Sequence, residues 1–378
     1  MASVEKRTRD GKVTWQARWR DPSGVQRKRT FGRKTDAERY LTSVSARLLD
    51  GSYVDPARSR MTVGEWAAPW IAGRSHLKPK TLASYESLLR TRVLPTWTTV
   101  PLVRVTHSDV VAWVAAMRRE GLSASRTRQA YHLLTSMLDD AVKDNRLPRN
   151  PAAGVDLPRL PVVERRYLSH AQVAELATAC GPPDRLLVLV LAYCGLRWGE
   201  AAALRVRRVD LLRRRIEVAE AVVDINGRLV FGSPKSHQAR SVPVPRFLVD
   251  DLAEHLAGKA PDELVFGSAK GAVLRVQSFR RRSFDRAASS LGLDGLVPHE
   301  LRHTAASLAI GSGASVKGVQ SMLGHASATL TLDRYGHLLG DELDAVADRL
   351  DAAYRAPRVP PLCPEGQVVT LTQRELGA

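Results

Sequence analysis

The chain has 378 residues, 44% hydrophobic and 25% charged, a composition that excludes a disordered or fibrous chain and fits a folded protein of two or three domains. Lysine and arginine number 57 against 39 aspartates and glutamates, a formal net charge of +18, so the expected partner is a polyanion, nucleic acid first. A GC-rich coding sequence is the other explanation; it accounts for arginine over lysine but not for the excess of base over acid. Three scattered cysteines, Cys180, Cys194 and Cys363, argue against a disulfide framework or a zinc site. Met1 leads into charged residues rather than a secretory signal, and the apolar run from Leu186 to Leu196 is too short to span a bilayer. A soluble cytoplasmic protein is expected.

Residues 1–55 read as a small basic unit. Lys12 to Asp21 alternates apolar with polar side chains, as a half-buried strand does. Asp21 to Gly24 is a proline and glycine turn, Val25 to Phe31 returns as a second strand, and SVEKRT supplies a third. Residues 34–51 then read as a helix with Thr35 as N-cap, Glu38 three residues on, and Gly51 as its stop. Residues 1–50 hold 13 lysines and arginines against 6 acids. Arg18, Arg20, Arg27, Lys28 and Arg29 are candidate DNA contacts on a sheet that enters a groove. The alternative is a solvated face kept basic against edge pairing.

Residues 52–61 read as a linker. Residues 62–157 read as a bundle of four amphipathic helices with short loops, the first capped by Thr62. Lys78, Lys80, Arg126 and Arg128 stand at helix starts, where backbone N–H groups favour phosphate, and are further candidate DNA contacts. Residues 148–164 carry four prolines and read as an extended connection. Residues 165–355 read as the largest domain, mostly helical, with a strand-rich insert around a turn at DINGR. Residues 356–378 form a tail, read either as docking on a neighbouring protomer or as a disordered end. The expected fold is multidomain and mainly α: a three-stranded sheet plus helix, a helical bundle, and a mostly helical domain with a small sheet.

Four stretches of the third domain carry reactive side chains. AYCGLRWGEAAAL sets Arg197 three residues before Glu200, on one helix face. SPKSHQARSVPVP places Lys235 at a turn before a strand. PHELRHTAASL holds His299 and Arg302 near a helix start, and LGHASATLTLDRYGH holds His325 and, ten residues on, Tyr335. Singly, each has an ordinary explanation: a surface ion pair, a solvated lysine, a short pattern recurring by chance, a packing tyrosine. In this order they resemble the tyrosine recombinases, and the phage-type integrases in particular. That signature is an arginine in G-L-R-x-x-E, a hairpin lysine followed by R-x-V-P, H-x-L-R-H, L-G-H, and a tyrosine about ten residues later. Here it reads Gly195-Leu196-Arg197 with Glu200, Lys235 with Arg240 and Val242-Pro243, His299 to His303, Leu323-Gly324-His325, and Tyr335. The resemblance covers about residues 165–350. The helical segment before it looks like a core-site DNA-binding domain, and residues 1–55 resemble an arm-site DNA-binding domain. RVRRVDL departs where the family often has a tryptophan or aspartate, a packing difference.

The resemblance implies a site-specific recombinase that cuts and rejoins DNA through a 3′-phosphotyrosine, integrating and in reverse excising a phage or other mobile element. It implies no metal, ATP or other cofactor. Arg197 and Arg302 would clamp the nonbridging oxygens, and His325 would add a hydrogen bond there. Lys235 would protonate the departing 5′ oxygen. His299 would assist the nucleophile Tyr335, whose phenol, with a pKa of roughly 10, needs such help. Glu200 would orient Arg197, while His303 and His337 are read as structural. Implied partners are double-stranded attachment-site DNA, a homotetramer on that DNA, and an excisionase or DNA-bending accessory protein. The location would be cytoplasmic and nucleoid-associated, with no membrane. The alternatives are a chromosome or plasmid resolution recombinase, a type IB topoisomerase-like nicking-closing enzyme, and a non-catalytic DNA-binding regulator. The separate basic unit and the filled reactive positions favour the integrase.

Overall fold

The computed structural model describes residues 2–9, 12–22, 24–50, 53–54, 60–161, 166–234, 239–268, 270–325, 327, 329, 332, 335 and 342–355. The chain divides into two compact units, 1–164 with 223–230, and 165–222 with 231–378.

In the first unit, β1 (Ser3–Arg9), β2 (Lys12–Arg20) and β3 (Gln26–Phe31) form an antiparallel sheet in the order β1-β2-β3. The Asp21 carboxylate fixes the second turn, accepting from Val25 N at 3.0 Å and from Arg27 Nε at 2.9 Å. Helix α1 (Lys34–Leu49) packs on the sheet. Thr35 is not its cap: the helix begins one residue earlier, after an extended Arg33 that makes no side-chain cap bond. Gly51, the expected stop, lies outside the described residues. Trp19 and Val44 are buried between sheet and helix with Tyr53, whose hydroxyl accepts from Trp19 Nε1 at 2.9 Å.

The bundle starts with α2 (Val63–Ala72). Thr62 and Glu65 cap it reciprocally, the Glu65 carboxylate accepting from Thr62 N at 2.7 Å and the Thr62 hydroxyl from Glu65 N at 3.1 Å. Helix α3 (Pro79–Leu88) runs through a π-helical turn, Leu89–Val93, into α4 (Leu94–Trp97), and α5 (His107–Arg119) and α6 (Ala124–Lys143) complete the set. Their apolar faces share a core that includes Trp66, Trp70, Trp97 and Trp113. Each indole buries about 150–250 Å², worth roughly 4–6 kcal/mol at about 25 cal/mol per Å².

The second unit contains α7 (His170–Ala179) and α8 (Pro182–Cys194), then α9 (Trp198–Ala202). Leu186 to Ala192 of α8 are all buried; a helix apolar on every face must be surrounded, here by α7 and by a later helix, α13 (Pro298–Gly311). No described helix is long and apolar enough to cross a membrane. Strands β4 (Val209–Asp210), β5 (Arg215–Val218) and β8 (Arg240–Pro243) form one sheet in the order β4-β5-β8, and β6 (Ala221–Ile225) pairs with β7 (Arg228–Gly232) in a hairpin whose residues 223–230 belong to the first unit. Asn226 and Gly227, with φ of 51° and 86°, make the turn expected at DINGR. Helices α10 (Val249–Leu256), α11 (Val276–Phe279), α12 (Asp285–Ser290), α14 (Val316–Leu323) and α15 (Glu342–Arg355) follow, and Thr329, Leu332 and Tyr335 are also helical.

Candidate active site

The site is built where two helices end. Helix α8 stops at Gly195 and α14 at Gly324, both in the left-handed region with φ of 63° and 64°. Such ends leave the last carbonyls without helical partners and carry partial negative charge. Guanidiniums take them up. Arg302, on α13 and 3% exposed, donates through Nη1 to Gly195 O and through Nη2 to Leu323 O. Arg240, at the start of β8, donates through Nε to Met322 O at 3.0 Å. Both caps need glycine for space as well as conformation. A Cβ at 195 would lie 2.8 Å from Leu323 Cδ2, and one at 324 would lie 2.7 Å from Arg240 Cδ.

Arg197 and Glu200 are not two residues on one helix face. Arg197 is the extended residue before α9, with φ −71° and ψ 150°, and Glu200 reaches back to it. The carboxylate accepts from Arg197 N at 2.9 Å and from Arg197 Nη1 at 2.8 Å. Arg240 holds it from another side, Nη1 to Oε1 at 2.9 Å and Nη2 to Oε2 at 2.6 Å. Burial works to raise the Glu200 pKa, but the hydrogen bond and charge of Arg240, and then Arg197, override it and push the carboxyl down to about 2. Arg302 moves the other way for a cation. Burial and the charges of Arg197 and Arg240 outweigh Glu200 and Tyr335 and bring it down to about 9, still charged at neutral pH. Three guanidiniums against one carboxylate leave a surplus of positive charge, and Arg197, at 23% side-chain exposure, is the most open of the three.

Tyr335 is buried against this cluster, 1% exposed. Its hydroxyl is hydrogen-bonded to His303 Nδ1 at 2.7 Å. The His325 ring lies parallel to the phenol ring at 3°, with centroids 6.4 Å apart, and Tyr167 meets it edge-on. His299 is exposed, one turn before His303 on the same helix, their rings 5.2 Å apart. The structure thus gathers Arg197, Glu200, Arg302, His325 and Tyr335. It adds two side chains that sequence reasoning did not place in the site, Arg240 and His303. The available signals were the R-x-V-P run and the spacing of four between the histidines of HELRH, which puts both on one helix face. Lys235, His337 and the tail 356–378 lie outside the described residues.

The basic residues proposed to meet DNA divide. Arg18 is paired across the strands with Lys28, and Arg20 shares their face, away from α1. Arg27 and Arg29 fall on the helix side. Arg27 is paired with Asp21 at 2.9 Å, and the Arg29 guanidinium lies 4.8 Å from the Tyr40 ring centroid and 5.4 Å from that of Phe31. Arg18 is also held by Glu5 at 3.2 Å. Lys78 is the N-cap of α3, and Lys80 in its first turn donates to Asp224 O at 2.7 Å. Arg126 and Arg128 occupy the first turns of α6, with Nη1 groups donating to Gln129 Oε1 at 3.1 Å and to Pro158 O at 3.4 Å.

Residues 166–341 match the phage integrase family. The putative prophage phiRv2 integrase of Mycobacterium tuberculosis strain H37Rv is 29% identical over 337 residues, spanning 85% of this chain and 88% of that protein. The fold is shared with solved structures. The Tn1549 transposon integrase in complex with a circular intermediate DNA matches with a TM-score of 0.66 at 22% identity, over 77% of this chain and 99% of that one. A lambda integrase tetramer bound to a Holliday junction matches with a TM-score of 0.58 at 20% identity, over 86% and 96%.

Proposed function

Because residues 166–341 belong to the phage integrase family, we propose that this chain, a tyrosine site-specific DNA recombinase of the integrase type, attacks DNA with Tyr335 to integrate a phage or other mobile element. The observation that carries the assignment is the surplus of guanidinium charge, Arg197, Arg240 and Arg302 around Glu200, beside a tyrosine hydroxyl already hydrogen-bonded to an imidazole.

The chemistry follows from those groups. The phenol oxygen attacks phosphorus, the bond to the 5′ oxygen breaks, and a 3′-phosphotyrosine and a free 5′-hydroxyl result. A 5′-hydroxyl from the partner strand then attacks the phosphotyrosine and frees Tyr335. The number of phosphoester bonds is unchanged. Arg302 uses two N–H groups on Gly195 O and Leu323 O, which fixes its plane before substrate arrives, and a guanidinium has five. Donors held in place for developing charge need no rearrangement at the moment of reaction. Arg197 supplies the more open guanidinium, His325 a further hydrogen bond to the phosphate, and Lys235 the proton for the departing oxygen.

The partner is duplex attachment-site DNA. Two duplexes cut on both strands require four nucleophiles, so the working unit is a homotetramer on DNA, and an excisionase or DNA-bending protein sets direction. The test is covalent capture. On a duplex carrying the core site found by footprinting, nicked beside the crossover, the wild-type protein is expected to give a complex that survives detergent. Tyr335→Phe is expected to bind equally and give none; capture of the Phe protein would remove Tyr335 from its role.

A further inference from the structure

We infer that Arg240 is a positioning residue: it braces the segment of Arg197 against the end of α14, so that Arg197 and His325 face one phosphate, and it does not itself contact that phosphate. The inference rests on the roles proposed above for Arg197, His325 and Tyr335.

Strand β8 sets the direction of the side chain. Arg240 is paired with Val218, and Val242 with Ile216, and these three apolar residues are buried. The guanidinium therefore points inward and is buried with them. There each of its three nitrogens donates to the protein. Nη1 and Nη2 take one oxygen each of the Glu200 carboxylate, at 2.9 and 2.6 Å, and Nε takes Met322 O at 3.0 Å. A full negative charge thus occupies the fork with which arginine binds carboxylate or phosphate. Arg302 differs: its Nη1 and Nη2 donate to Gly195 O and Leu323 O, which carry no net charge, so its own is left for a ligand. To bind phosphate, Arg240 would have to strand the buried Glu200, a costly exchange.

The bonds of Arg240 join two segments that carry reactive groups. On one side, Glu200 accepts from Arg197 N at 2.9 Å and from Arg197 Nη1 at 2.8 Å, which holds both the backbone and the head of Arg197. On the other side, Met322 O belongs to the last turn of α14, which ends at Gly324. His325 follows, its N donating to Gln320 O of the same helix at 3.1 Å. A lysine at 240 keeps the charge beside Glu200. Its single nitrogen cannot fork the carboxylate and also stand where Nε meets Met322 O.

Single-turnover capture on the nicked core-site duplex tests this role. With Arg240→Lys, core-site affinity is expected to stay at the wild-type value while capture slows about ten- to a hundredfold, the scale of loss when groups are displaced by about 1 Å. In Arg197→Ala, and separately in His325→Ala, one of the two groups that Arg240 sets is already gone. Adding Arg240→Lys to either is expected to slow capture by no more than about fivefold, because effects that run through a shared partner do not add. Three results would each overturn the inference. One is an equal loss in all three backgrounds, the mark of a separate contact with phosphate. Another is a fall in core-site affinity that matches the fall in capture, the mark of structural support alone. The third is full activity in Arg240→Lys. Wild-type rates in Arg197→Ala or His325→Ala, or capture of Tyr335→Phe, would instead overturn the roles proposed for those residues, and the inference with them.

Discussion

Arg240 grips Glu200 through two parallel hydrogen bonds, with both side chains buried, at 8% and 1% exposure. A buried pair of this kind gains little net energy over apolar residues, yet removing one partner strands a charge. Glu200→Gln is expected to cost about 3–5 kcal/mol in urea unfolding, and Arg240→Met in the same background to recover part of it.

The same carboxylate sets an acid limit. Its pKa is about 2 in the folded protein against an ordinary 4.5, so across that interval the unfolded chain binds more protons. The stability it contributes is fully present above the ordinary value and is lost as pH falls towards about 2, amounting to about 3 kcal/mol. Unfolding free energies followed from about pH 6 to about pH 2 should show this loss in wild type and a flatter limb in Glu200→Gln. Identical limbs would contradict the pairing.

The helix-end glycines make a second test with an internal control. Gly195→Ala and Gly324→Ala each force a side chain into left-handed backbone against an atom under 3 Å away, and each is expected to cost about 1–3 kcal/mol in strain, with the displaced neighbour added. Gly292 has a φ of 71°, but a methyl group added there would meet nothing within 4 Å, so Gly292→Ala should show the backbone penalty alone. Gly324→Ala presses on Arg240 and should slow covalent capture by more than its melting temperature suggests.

On the N-terminal sheet, position and not charge decides the effect. Arg18→Ala, Arg20→Ala and Lys28→Ala remove charge from the face turned away from α1. Each is expected to weaken duplex binding and to lower the salt slope by up to about one. Arg27→Ala and Arg29→Ala break contacts with Asp21 and Tyr40 and should lower melting temperature with little change in slope. Equal slopes for the two groups, measured between about 50 and 200 mM salt, would remove the distinction.

Local patterns were legible where both partners sit within a turn of each other. Thr62 caps its helix as read, and Glu65, three residues on, adds the return bond to Thr62 N that the reading did not include. The alternation of Lys12 to Asp21 gave the strand but not the fate of each arginine, because the Asp21 carboxylate and the Tyr40 ring are brought up by a turn and a helix. Glu200 was visible as a neighbour of Arg197. Its tighter partner Arg240 lies forty residues on and faces inward because it shares the buried side of β8 with Val242. HELRH offered two histidines on one face, and no local letter says which one meets a phenol 32 residues away.

The burial of Tyr335 has a consequence for the cell that carries this protein. A blade for chromosomes is hazardous in proportion to the time it spends bare. On the proposed role of Tyr335, its 1% exposure keeps the attacking oxygen covered on a copy that drifts over unrelated DNA.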